Sequence, residues 1–275
     1  MMTVLNFRKP QEQPANPFQA GKERRKRNWI RGAGASIIGV LAKGKALLVI
    51  LPKIKLLTTG STMLVSVAAY SLFWGWPFAA GFVLLLLLHE MGHVVQLRRE
   101  GVQASAPMFI PFMGAVIAAK TLGENALAEA RVGLAGPVLG TLASAAVIPF
   151  YFLTHDNIFL ALAFTGFFLN LFQLVPFPPL DGSRAMAALS PKMWIVGLVM
   201  IVGLAIVWQN PIIFIIILIG GFEAWHRWKA RNTPASKEYY KIAGKHRVLV
   251  AAVYVGLIVV TVAGMAFTQV AQHTL

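Results

Sequence analysis

Apolar residues along this chain fall in long, nearly continuous blocks. They show neither the alternation of a half-buried strand nor the one-sided stripe of a surface helix. The blocks recur from about residue 61 to 268. Blocks of this kind suit helices that cross a bilayer, whose ~30 Å hydrocarbon core takes roughly 20 apolar residues. About seven spanning helices are expected, at 61–75, 77–98, 126–153, 157–175, 193–208, 211–228 and 247–268. The fold class that follows is an all-α polytopic membrane protein. Several blocks are shorter than a straight span, so their ends are expected to shift by a few residues.

Two stretches break the pattern. "VQASAPMFIPFMGAVIAAK" (102–120) mixes two prolines and a glycine with β-branched and aromatic residues. It reads as a strand or short membrane-associated β-hairpin, with the prolines confining it to edge positions. "LVPFPPLDGSR" (174–184) holds three prolines and a glycine, which disfavour helix. Irregular backbone survives at membrane depth only when packed in protein or beside a wet cavity. Both stretches therefore point to a hydrated site near the cytoplasmic face.

Ahead of the blocks, Lys43 and Lys45 split an apolar run at 36–57. Both would sit near mid-bilayer in a spanning helix, so an interfacial helix is expected instead. Residues 1–35 carry Pro10, Pro14, Pro17 and the run "KERRKR" at 22–27, and read as a disordered basic cytoplasmic arm. The organisation expected is an arm (1–35), an interfacial helix (36–57), a membrane core (61–185) and additional transmembrane helices (186–275).

Charge sharpens this picture. Only 13% of residues are charged, against roughly 25% in a soluble domain. The net charge is +15. In a membrane protein such an excess collects on the cytoplasmic side and faces anionic lipid headgroups. Anionic lipids are thus the expected partners of the arm. Nucleic acid is not expected, because no aromatic platform accompanies the charge. With the N-terminus cytoplasmic, the outer loops near 75, 154–157 and 209–211 contain no Lys or Arg. That partition expects the C-terminus outside. The first 35 residues hold no apolar core or cleavage site, so no cleavable signal peptide is expected. The chain has no cysteine, so any metal must be held by His, Asp or Glu.

Candidate chemistry begins at "LLLLLHEMGH" (84–93), where three ionisable groups end an apolar run. His89 and His93 stand four apart and share a helix face, so both imidazoles reach one ion from successive turns. Glu90 lies one position round, where it can reach a water on the metal without being a ligand. This is the zinc-hydrolase arrangement of two His ligands and a Glu general base. A lone histidine on an apolar helix is more often a hydrogen-bonded core residue. A pair with an adjacent Glu inside a span is harder to explain so, because each uncompensated group costs several kcal/mol.

Tetrahedral zinc needs one further protein ligand and keeps one position for water. Asp156 falls in the expected outer loop, across the membrane from His93. Glu124 and Glu129 flank the start of the third span and read as ordinary helix N-terminal acids. Glu223 stands beside His226 and Arg227 and is expected to pair there. Asp181 in "PPLDG" lies on the expected cytoplasmic side, and topology selects it.

"HEMGH" in an early span, "LAGPVLG" (134–140) in the next and "NLFQLVPFPPLDG" (170–182) together resemble the site-2 protease family of intramembrane zinc metalloproteases. The resemblance covers roughly residues 77–185. It implies a three-helix catalytic core holding Zn2+ through His89, His93 and Asp181, with Glu90 as the catalytic glutamate. It implies that Asn170 helps engage the substrate, and that 102–120 is the membrane-associated β-region. The substrate implied is a transmembrane protein, single-span and in some cases already cleaved once, cut within the bilayer in regulated intramembrane proteolysis. Ser183 departs from a second glycine often found after Asp-Gly. The segments outside the core are not family-defining.

Two other readings stay open. One is a non-catalytic zinc-binding membrane adaptor or a transporter; an intact Glu90 argues against the first and the lack of an internal repeat against the second. The other is a prenyl-protein-type membrane protease, whose third ligand would be a Glu, with Glu223 the candidate.

Overall fold

The computed structural model describes residues 59–274 apart from Met113, Lys120, Pro191 and Asn210. The basic arm and the interfacial helix expected at 1–57 lie outside the described residues.

Each expected block forms a helix. The elements in order are α1 (Thr59–Trp74), α2 (Trp76–Arg99), β1 (Met108–Ile110), β2 (Gly114–Val116), α3 (Ala126–Thr154), α4 (Ile158–Gln173), α5 (Asp181–Leu189), α6 (Met193–Trp208), α7 (Pro211–Ala230), α8 (Pro234–Tyr239) and α9 (Gly244–Thr274). Among the described residues, four helices are long and apolar enough to cross a membrane: α2, α3, α7 and α9. Helices α4 and α6 are apolar but only 16 residues long, as is α1. The outer surface carries Leu72 (83% exposed), Val207 (76%) and Leu218 (76%) among many large apolar side chains. So much contiguous apolar surface would drive association in water, whereas lipid solvates it. The chain is a multi-pass membrane protein.

Helix α3 is central and packs against α2, α4, α5 and α9. Its start is set by Asn125, whose side chain accepts from the backbone N–H groups of Leu127 and Ala128. Its small residues, Ala126, Ala128, Ala130, Gly133 and Gly136 among them, are buried and let neighbouring backbones come close.

The expected hairpin is present. Strands β1 and β2 are antiparallel, with Met108 opposite Val116, Phe109 opposite Ala115 and Ile110 opposite Gly114. It lies along α1, which holds it at three points. Thr59 donates to the Pro107 carbonyl at 2.7 Å. The Phe109 N–H donates to Thr62 Oγ1 at 3.2 Å, and the Phe112 N–H to Tyr70 Oη at 3.1 Å. Thr59 and Tyr70 are 11 residues apart, about 16 Å of helix at ~1.5 Å per residue. Phe109 shares an apolar cluster with Val83 and Leu86 of α2, which brings the hairpin within about two turns of His89.

One expectation needs correction. Helix was disfavoured across 174–184, but only 174–180 is irregular, and α5 begins at Asp181. The prolines end at 179, and Leu180 takes an extended conformation before the first turn. An acidic residue in that first turn is favoured by the helix dipole. Carbonyls of the irregular segment lie against α6 and α7: a Cβ built on Gly220 would meet the Pro178 oxygen at 1.6 Å. The later helices thus buttress the segment that leads into Asp181.

Candidate metal centre

The last turns of α2 place His89 and His93 one above the other, buried. Their rings are 5.0 Å apart and steeply inclined. Each ring uses Nδ1 to hold its orientation. His89 Nδ1 stands 2.8 Å from Asn170 Oδ1, and His93 Nδ1 stands 2.8 Å from the Val132 carbonyl. Both Nε2 atoms then face inward, 3.2 Å apart. Asp181 Oδ2 completes the group at 3.1 Å from each.

These donors fit a metal ion. Two carbonyl oxygens can only accept, so a proton on Nδ1 satisfies each of them and leaves each Nε2 lone pair for a metal. Two nitrogen lone pairs and a carboxylate oxygen therefore converge in a buried space, which calls for a cation. Ligands at ~2.0–2.1 Å from a tetrahedral zinc stand roughly 3.3 Å from one another, close to the spacing found. Among the described residues this is the one group of three His, Asp or Glu side chains so arranged. It is a possible zinc site, and the His, His, Asp set suits zinc.

The wall opposite α2 is glycine. A Cβ built on Gly136 of α3 would meet His93 Nε2 at 2.2 Å and His89 Nε2 at 2.8 Å. A Cβ on Gly140 would meet Asn170 Oδ1 at 2.3 Å. The glycines of "LAGPVLG" thus permit close packing, and at these two positions the packing is against the metal-site side chains themselves. Glu90 is half-buried. Its carboxylate lies within electrostatic range of His89, His93, Asp181 and Arg184.

The remaining acids go elsewhere. Asp156 is exposed in the α3–α4 connection, where it accepts from the Ile158 N–H. Glu223 pairs with Arg227 at 2.9 Å, four residues on. Glu129 is not an ordinary N-terminal acid: it is fully buried. Arg227 donates to it through both terminal nitrogens, at 3.1 and 2.7 Å, and Tyr239 donates to it at 2.5 Å. Burial, and then the neighbouring carboxylate, push the Tyr239 phenol well above its ordinary range, so it stays the donor. Sequence reasoning missed this cluster. The one signal was Arg227 itself, a guanidinium at the end of an apolar helix that needs a buried partner.

The sequence profile of peptidase family M50 matches residues 77–156, the stretch that holds α2, the hairpin and α3. A zinc metalloprotease of Methanocaldococcus jannaschii is 30% identical over 133 residues. That match covers 46% of this chain and 38% of the relative, so the chain spans well under half of the relative's length.

Proposed function

We propose that this chain, whose residues 77–156 match the profile of peptidase family M50, is an intramembrane zinc metalloprotease of the site-2 protease type that cuts transmembrane segments of other membrane proteins. The observation that carries the reading is the convergence of His89 and His93, beside Glu90 on a spanning helix, with Asp181 at the start of α5. His89, His93 and Asp181 are the ligands. Bound zinc supplies Lewis acidity, lowering the pKa of a water and polarising the scissile carbonyl.

The protein's own groups do the rest. Glu90 is the general base: it takes a proton from the attacking water as the O–C bond forms. It then delivers that proton to the amide nitrogen as the C–N bond breaks, so the proton count closes. The Val132 carbonyl and Asn170 hold the imidazoles still, and α3 seals the side lined by Gly136.

A helical substrate hides its backbone carbonyls, so it must unwind before it is cut. The hairpin fits this need. Its short strands expose an edge, and an extended segment can add to it by backbone pairing. The substrate class is a single-span membrane protein, intact or already trimmed, and the process is regulated intramembrane proteolysis. The chain spans seven times, with the N-terminus cytoplasmic and the C-terminus outside. Its basic arm sits on anionic lipid.

The test is cleavage of a single-span substrate in liposomes by the Glu90→Gln protein, with zinc measured on the same samples. The glutamine keeps the volume but takes no proton. Activity should fall by about 10²–10⁴-fold or more while zinc stays at the parent level. Parent-like cleavage with zinc retained would refute the reading and leave the zinc-binding adaptor.

A further inference from the structure

The two histidines meet one requirement by different means. An imidazole presents a lone pair at one nitrogen only when its proton sits on the other. His93 can donate that proton to a backbone carbonyl, Val132 O, which the fold supplies whatever side chain stands there. His89 relies on a side chain, Asn170.

We infer that Asn170 is a positioning residue for the metal: it holds the His89 proton at Nδ1 and so keeps the Nε2 lone pair directed at the ion. The inference rests on the zinc reading above, and it replaces the substrate contact that the resemblance implies for this residue.

Three observations carry it. The first is the sense of the amide. Asn170 Nδ2 donates to the Gly166 carbonyl at 2.7 Å, and a carbonyl only accepts. The amide oxygen therefore faces His89, and His89 is the donor. The second is burial. Asn170 is 2% exposed, with one polar end on His89 and the other on its own helix. A side chain so enclosed presents little for a substrate to touch. The third is the clamp. Gly140 brings the α3 backbone against the amide, leaving no room for a Cβ at that position.

The competing state shows why such a device is needed. His89 Nε2 stands 3.1 Å from Asp181 Oδ2. With its proton on Nε2, the ring would donate to that carboxylate and close the centre with a hydrogen bond that excludes the metal. An acceptor at Nδ1 disfavours that tautomer. Asn170 sits in the segment "NLFQLVPFPPLDG", so one stretch of chain supplies both a ligand and the group that prepares a second ligand.

The experiment reads zinc affinity without proteolysis. The full chain in detergent is stripped of metal, then titrated with Zn2+ against a chromophoric chelator. Asn170→Leu keeps the branched shape and removes the acceptor, and should weaken zinc by about 10–100-fold, as loss of a ligand's orienting partner does. Asn170→Asp keeps an acceptor for His89 and, protonated on its other oxygen, still donates to the Gly166 carbonyl, so it should bind zinc more tightly than Asn170→Leu. Gly140→Ala displaces the amide without changing residue 170 and should weaken zinc in the same direction as Asn170→Leu. If Asn170→Leu does not fold, the contrast between Asn170→Asp and Gly140→Ala still decides. Parent-like zinc affinity in Asn170→Leu or Gly140→Ala would overturn the inference, as would a loss in Asn170→Asp equal to that in Asn170→Leu. A protein that shows this affinity pattern yet cleaves nothing refutes the protease reading alone.

Discussion

Glu129 and Arg227 stand 98 positions apart in the chain and meet in a two-pronged ion pair, their side chains 1% and 11% exposed. The pair ties the first turn of α3 to the last turn of α7. Arg227 also lies 5.3 Å from the ring of Trp194, whose indole N–H donates to the Ser183 carbonyl at 2.9 Å. Ser183 follows the candidate ligand Asp181 by two residues in α5. The later helices therefore reach the metal centre through a short chain of polar contacts.

Breaking that pair should be costly. Arg227→Ala leaves a buried carboxylate without its main partner, a loss of about 3–5 kcal/mol in comparable cases. Thermal unfolding in detergent should show a large drop. The double variant Glu129→Leu, Arg227→Met removes both charges and should recover part of it. A single variant as stable as the parent would show that the pair is not a fastening.

Metal content should follow the three ligands and no other acid. His89→Ala, His93→Ala and Asp181→Ala should each lose most of the zinc, because two protein ligands hold it poorly. Glu223→Ala should keep it, since that carboxylate is engaged with Arg227. Elemental analysis of purified protein settles the matter: full retention in Asp181→Ala would return Glu223 as the third ligand.

Gly136→Ala adds a single methyl group, yet it should empty the centre. The new Cβ would fall 2.2 Å from His93 Nε2, with His89 Nε2 at 2.8 Å. Zinc should be lost by more than tenfold in affinity. Gly203→Ala and Gly221→Ala, where an added Cβ meets nothing within 4 Å, should be neutral or slightly stabilising, as Ala is preferred to Gly within helices. Equal zinc affinity in all three would contradict the packing at Gly136.

Reporter fusions test the seven-span topology. Fusions at Asn157 and at the C-terminus should report the outside. Those near Arg99, Ser183 and Lys237 should report the cytoplasm. A cytoplasmic C-terminus would remove one span from the count and leave the metal centre as it stands.

The sequence by itself determined the membrane class, the helix positions within a few residues, the hairpin and the three side chains that converge as candidate ligands. All of these rest on short-range signals. Apolar block length marks a span, proline and glycine mark a break, and a four-residue spacing puts two histidines on one face. Asp181 was reachable because so few acids stand on the right side of the membrane. What only the tertiary structure decided depends on pairs of residues distant in the chain. Glu129 reads as a cap-region acid until Arg227 and Tyr239 arrive from α7 and α8. Asn170 reads as a polar group in an apolar helix until its oxygen is seen 2.8 Å from His89, 81 positions earlier. The first turn of α5 was hidden for a related reason: the prolines before it argue against helix locally, while burial against α3 and the buttress from α6 and α7 favour the helix that presents Asp181. Local propensity sets where an element can form, but which polar group meets which is set by how the elements pack, because a buried donor must find its acceptor wherever the chain brings one.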